Sequence, residues 1–570
     1  MPATAARASF APKRTKKQRI ATRRRIGESV AMIRKLTGFF GRAGHAAGTG
    51  AELPWNPDEP PLLDRIQAAI ARDPQGPAEL EREPAGEDEL RFAPGMLDSV
   101  MGGGGEDARA PSVRTLLRAF GAAVRRPGGA TFAAFYRLAG EAEVIEVVDG
   151  FLEAASAAGL DPAGAAAVAR RIAREGRDEN AVKLAAALLG LFGSPEDRDL
   201  LMTLGRYEEL TVYAALALGG VSPDPQEDIW QLARTTFGWG RIRSLYLLAG
   251  TERSDIREWL LLEGHRNGIL AEEVAWFCAV HGDLIGALRE PELEEERLDR
   301  LAELMRALAR GGPAEDLRDY DDGAEASLLF LEHLRRSERL GLERLFAVDA
   351  LRAFVEHGTA RDGAAEWPAE TRWQVRTGAG EYLGRGAWHE LIAAGLSADE
   401  SRAFWDAAAA GDLLGIDVWP ARLERQRRSR APGDDQWYHL MQTDSRDRIE
   451  QVLALARERI DLAKVGSGPQ ARFGLGLEYE DDTAVDFIVQ DLGRFPGSGW
   501  DFLRTGLNGR TGRLRNMTLR ALEQWGRASW PPDAEALIRA AAEREPEPDL
   551  REAMGRLLAG KPLRVEPLDW

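Results

Sequence analysis

Apolar residues recur at i, i+3, i+4 and i+7 over most of the chain beyond about Ser112. Leu298, Leu301, Met305 and Leu308 form one such set, and Ile449, Val452, Leu453, Ala456 and Ile460 form another. This spacing turns one stripe of a helix toward a core. Alternation of period two between hairpin turns is nearly absent. Val144 to Val148 is the single run with strand character, and its neighbours favour helix. Upstream, Leu62 to Ala71 reads as a short helix between loop-forming stretches rich in proline and glycine, including Pro54 to Pro61 and Gly102 to Gly105. The pattern predicts an all-α protein.

The helices also repeat. Ser194-Pro195, Ser222-Pro223 and Ser254 each open a helix, with starts 28 and 32 residues apart. Serine as N-cap followed by proline at the first helical position suits a helix start. A second helix is expected after each, over Tyr207 to Leu218, Arg241 to Ala249 and Ile269 to Val280. Gly219-Gly220 and Gly250 are expected as left-handed stops for the first two. The theme returns near the end, at Trp500 to Gly506, Asn516 to Trp525, Asp533 to Ala542 and Leu550 to Leu558. Helix pairs at a period near 30 predict an α-solenoid, in which each pair buries its stripe against its neighbours.

Charge divides the chain. Residues 1–42 hold twelve Lys or Arg against one acid, Glu28, so they carry +11; the chain as a whole is −17, which leaves −28 for the remainder. An acidic body repels a phosphate backbone and disfavours nucleic acid as its partner, while the basic arm leaves that partner open. Within the arm, Ile26, Val30, Ile33, Leu36 and Phe40 have the spacing of an amphipathic helix. Four segments follow: a basic, largely unstructured arm with this one helix at 1–49, a loop-rich stretch at 50–112, helical repeats at 113–464, and C-terminal repeats at 465–570 with an irregular insertion at 465–500. No run reaches the length of a transmembrane helix. Leu184 to Phe192 is too short and reads as a buried helix. One cysteine, Cys278, excludes an internal disulfide framework and a Cys-rich metal site. The cytoplasm is the expected location.

Motifs of chemistry fail on context. Gly555 to Lys561 copies P-loop spacing, but Pro562 stands where a magnesium-binding hydroxyl is needed and the run ends a helix. Gly466, Gly468 and Ala471 match a dinucleotide fingerprint, yet Pro469, Gly474 and Gly476 bar the helix that should follow. The seven histidines are scattered, and Cys278 lies between Phe277 and Ala279 on an apolar stretch. No cofactor or metal site is expected.

The insertion breaks the helical period with a glycine-rich loop. It then supplies Glu478 to Asp482, a helix at Ala484 to Leu492, and Arg494, Phe495 and Pro496. Long irregular insertions in repeat proteins mark binding faces. With the aromatic cluster Gln436-Trp437-Tyr438-His439 they nominate Trp437, His439, Asp486, Gln490, Arg494 and Trp500 as ligand-binding candidates. The competing reading makes Arg494 a cap on a carbonyl and leaves the acids solvated. Trp230, Trp259, Trp276, Trp405 and Trp525 are expected in the core.

The runs Arg515-Asn516 to Trp525-Gly526, Gln490 to Gly497, Arg91 to Gly95 and Glu263 to Asn267 resemble a family of bacterial HEAT-like repeat proteins, some of which bear the label limonene hydroxylase. The resemblance covers most of the chain after about residue 50 and implies helical repeats. It transfers no functional residue. The hydroxylase label finds no haem-thiolate loop, flavin fingerprint or two-His-one-carboxylate set to support it. The sequence therefore favours a non-enzymatic scaffold that binds a protein or peptide in a groove. The alternative is a small-molecule binder or enzyme using residues 465–500.

Overall fold

The computed structural model describes residues 54–563, apart from 82–92, 97, 99–110, 313, 358–365, 430, 432–433, 472–473 and 475. The basic arm, the amphipathic helix expected within it and the whole run Gly102 to Gly105 lie outside the described residues. Among the described residues there is no strand, and no helix is long and apolar enough to cross a membrane. The chain divides between Arg385 and Gly386 into two compact units. The sequence boundary at 464/465 falls inside the second.

In the first unit, Leu62–Arg72 packs on Pro162–Glu175 and Arg198–Leu204. Just ahead of it, the Trp55 ring sits edge-on to Tyr136 at 4.9 Å. Further along, helices pack against the next and the next-but-one in sequence. Glu179–Phe192, for example, lies against both Pro162–Glu175 and Thr211–Val221. There the backbones approach so closely that a Cβ on Gly190 would come within 2.7 Å of the Ala217 Cα. Leu184 to Phe192 is buried throughout, as its composition required. Val144–Ala157 is helical.

A charged staple occurs twice, between residues 27 and 30 positions apart. The Arg170 Nε donates to Asp197 at 2.5 Å, and the Arg198 Nε donates to Asp228 at 2.9 Å. Both aspartates are buried. Each sits where a repeat's first helix starts, so the pair fixes the register of one helix pair on the next. Asp197 also accepts from the Ser194 N–H at 3.0 Å, tying the staple to the cap.

The helix starts differ in detail from the serine pattern. Asp224, not Ser222, caps Pro225–Thr235, accepting from the Glu227 N–H at 3.2 Å. Ser222 instead donates to Asp228 at 2.5 Å. Ser254 is the first residue inside its helix and Arg253 the residue before it. Gly219-Gly220 do not stop their helix, which runs on to Val221. Val221 is buried, and packing outweighs the modest cost of helical glycine.

The second unit is built around a continuous apolar core that runs from Trp419 to Leu563 and includes Val485, Ile488, Leu503, Leu522 and Trp525. Trp500–Gly506, Gly512–Trp525, Ala534–Arg544 and Pro548–Leu558 lie where the C-terminal repeats were expected. The start of the insertion, residues 465–470, folds back on the turn at 508–511. The Gly468 N–H donates to the Asn508 carbonyl at 3.1 Å, and the Arg510 N–H donates to the Val465 carbonyl at 3.2 Å. A Cβ on Gly468 would lie 2.7 Å from the Gly509 carbonyl oxygen. Close backbone approach, not a phosphate, accounts for glycine there.

Candidate functional site

The six nominated residues all lie in the second unit, and the fold separates them into different roles. The helix Glu480–Leu492 carries two of them, Asp486 and Gln490. It starts with Glu480, Asp481 and Asp482, which suit the positive end of its dipole. Val485, Ile488, Val489 and Leu492 bury its core stripe. Asp486 lies beside that stripe and is only 4% exposed. Gln490, one turn on, is half-buried.

The short helix Trp437–Met441 packs against Glu480–Leu492. Trp437, Leu440 and Met441 face inward, so Trp437 is 4% exposed and belongs to the core. Consecutive helical positions point about 100° apart. Tyr438 and His439 therefore turn outward, and Tyr438 is 38% exposed.

Arg494 is engaged with the turn after that helix. Its guanidinium donates to the Met441 carbonyl at 2.8 Å and the Thr443 carbonyl at 3.2 Å, and it also bonds Asp444 and Asp491 at 3.0 Å. It is a carbonyl clamp. Trp500 is half-buried against the core at the start of Trp500–Gly506. The six thus do not form one hydrogen-bonded set. Two clefts, of about 480 Å³ beside Trp530 and about 200 Å³ beside Tyr382, are lined by none of them.

A different constellation emerges from the outward residues. The Trp405 and His439 rings meet edge to face at 5.3 Å, His439 and Tyr438 at 5.2 Å, and Tyr438 and Phe487 at 5.7 Å. The Arg513 guanidinium then lies 6.0 Å from the Phe487 ring centre, and its Nε is 2.5 Å from the Asp486 Oδ2. Four helices contribute in chain order: Ser401–Leu413, Trp437–Met441, Glu480–Leu492 and Gly512–Trp525. The arrangement is a ladder of aromatic rings that ends in an acid–base pair.

The ladder is uncharged along its rings. Burial, then the nearby Arg422 guanidinium, lowers the His439 imidazole to about 4, so it is neutral at neutral pH. Arg422 sits 5.7 Å from the Trp405 ring and is held by Gln436 at 2.9 Å and Asp412 at 2.5 Å. At the other end burial raises the Asp486 carboxyl to about 6 against the pull of Arg513. Its Oδ1 is buried with no hydrogen-bond partner.

Of the ladder, the sequence nominated His439 and Asp486. Trp405 was assigned to the core and is half-buried, as are Trp230, Trp259 and Trp276; only Trp525 of that group is fully buried. Tyr438, Phe487 and Arg513 carried no signal of their own, beyond the turn geometry that sets Tyr438 opposite Trp437. No group of three or more His, Cys, Asp or Glu that could hold a metal ion occurs among the described residues. Cys278 is buried, and burial raises its thiol to about 12. No family model matches the chain, and no curated protein sequence matches it.

Proposed function

We propose that this chain is an interaction scaffold of the HEAT-like repeat type, and that it binds a protein or peptide on the ladder running from Trp405 to Arg513. The observation that carries the reading is a set of contiguous, partly exposed rings supplied by three helices, with Arg513 of a fourth at its end. Aromatic side chains that hold fixed positions at a surface offer large contact area at low entropic cost, and Trp, Tyr and Arg dominate binding hot spots. In the first unit, ion pairs that link residues 27 and 30 positions apart support the α-solenoid reading. The acidic body argues for a protein partner over nucleic acid. A small-molecule site at 465–500 draws less support, because Arg494 is bound to backbone carbonyls and Trp437 is in the core.

Selection of a random dodecapeptide library on the full chain tests the proposal. Enriched peptides are expected to lose at least about ten-fold in affinity on Tyr438→Ala, which removes a rung worth about 1.4 kcal/mol or more. Tyr438 is exposed, so the thermal midpoint should stay within about a degree of wild type. Peptides that bind both forms equally would remove the ladder from consideration.

A further inference from the structure

The acid–base pair at the end of the ladder is unevenly built. Asp486 is among the most buried acids of the second unit, and the Arg513 Nε lies 2.5 Å from its Oδ2. Its Oδ1 has no hydrogen-bond partner among the described residues. A buried carboxylate is costly unless paired and hydrogen-bonded. The cation that does pair with it, Arg513, has a side chain 53% exposed and attached to an outward position of Gly512–Trp525. Its head also hovers over the Phe487 ring.

Arg513 therefore demonstrates what the site accepts: a planar or compact cation with a carboxylate on one side and an aromatic face on the other. It fills that place incompletely, and a flexible exposed side chain can leave it at little cost.

We propose that the end of the ladder receives a lysine or arginine side chain of the partner peptide, with Asp486 as its counter-ion and Arg513 as an internal occupant that the partner displaces. This rests on the reading of the ladder as a binding face. The incoming cation takes the place of Arg513 beside the Asp486 Oδ2, lies over Phe487, and leaves Tyr438, His439 and Trp405 to hold apolar residues on one side of it. Complementary charge fits the partner to a chain body of −28.

The same library selection distinguishes the two claims. Enriched peptides should carry a conserved lysine or arginine beside apolar residues. Replacing an arginine at that place by citrulline, its neutral isostere, should weaken binding ten-fold or more on the wild-type chain, with no protein variant needed. Asp486→Asn should weaken the basic peptide by a similar factor and leave the citrulline peptide unchanged. Arg513→Ala should tighten the basic peptide several-fold, because the internal competitor is gone; a purely structural role for Arg513 would give no gain. Peptides sensitive to Tyr438→Ala but indifferent to citrulline and to Asp486→Asn would overturn this inference and leave the ladder standing. Peptides indifferent to Tyr438→Ala as well would overturn both.

Discussion

Arg515→Ala is expected to lower the unfolding free energy by about 3–5 kcal/mol, the range for removing one partner of a buried ion pair. The Arg515 side chain is 0% exposed and fully coordinated. Its Nε and Nη2 donate to both oxygens of Glu545 at 2.7 and 2.9 Å, and Nη2 also reaches Glu547 at 3.0 Å. Nη1 donates to the carbonyls of Gln470 and Gly509 at 3.0 and 2.9 Å. Alanine leaves the Glu545 carboxylate buried without its partner and strands carbonyls from both the insertion and the 508–511 turn. Denaturant unfolding would measure the loss. The companion double variant Arg515→Leu, Glu545→Leu should recover the part of it that comes from the unpaired Glu545 charge, and leave the part that comes from the stranded carbonyls. A single variant within about 1 kcal/mol of wild type would show that the second unit does not depend on this junction.

Acid lability is expected to come in part from His265 in the first unit. The residue is 2% exposed, and neither ring nitrogen has a hydrogen-bond partner. The nearest carboxylate oxygen, on Glu303, is 3.9 Å from Nε2 and is already bound by Arg266 at 2.9 Å. Burial, then the charges of Arg266, Arg241 and Arg300, lowers the imidazole to about 3. The unfolded chain takes up this proton near pH 6.5 and the folded chain does not until about 3, so between those values the unfolded state binds more protons. Stability from this group is complete above 6.5 and falls on acidification, by about 1.4 kcal/mol per pH unit, or about 2 kcal/mol at pH 5. His265→Leu should flatten the loss of stability between pH 7 and 5 by that amount relative to wild type. Parallel pH profiles for the two proteins would place the acid sensitivity elsewhere.

Individual elements show where local reading works. Trp500–Gly506 was legible to the residue, and Leu62–Arg72 to within one. Both combine a clear apolar stripe with glycine or proline at their edges, so neighbours in sequence hold nearly all the information. The stop expected at Gly219-Gly220 failed because the helix runs on to Val221, and that residue is buried, which the local glycine signal does not record. Ser222 and Ser254 were read as caps on type alone. In the folded chain Ser222 is drawn to Asp228, within the staple that Arg198 completes from the preceding helix pair.

The candidate site divides along the same line. An acid and a histidine of interest could be picked from the insertion and from the Trp437 to His439 cluster, because irregular segments and aromatic clusters stand out against a helical period. Arg494 was legible in both its readings, as ligand-binding residue and as carbonyl cap, and its bonds to Met441 and Thr443 supply the second. What the linear chain alone determined was helix, many of its apolar stripes, and the acidic charge of everything beyond the arm. These follow from spacing of a few residues and from simple counts. Which side of Trp437–Met441 faces out, which cation meets Asp486, and that rings from Trp405 to Phe487 form one ladder were decided only by tertiary packing. Those contacts between helices join residues 27 to 49 positions apart, and no local periodicity records which helix will lie beside which.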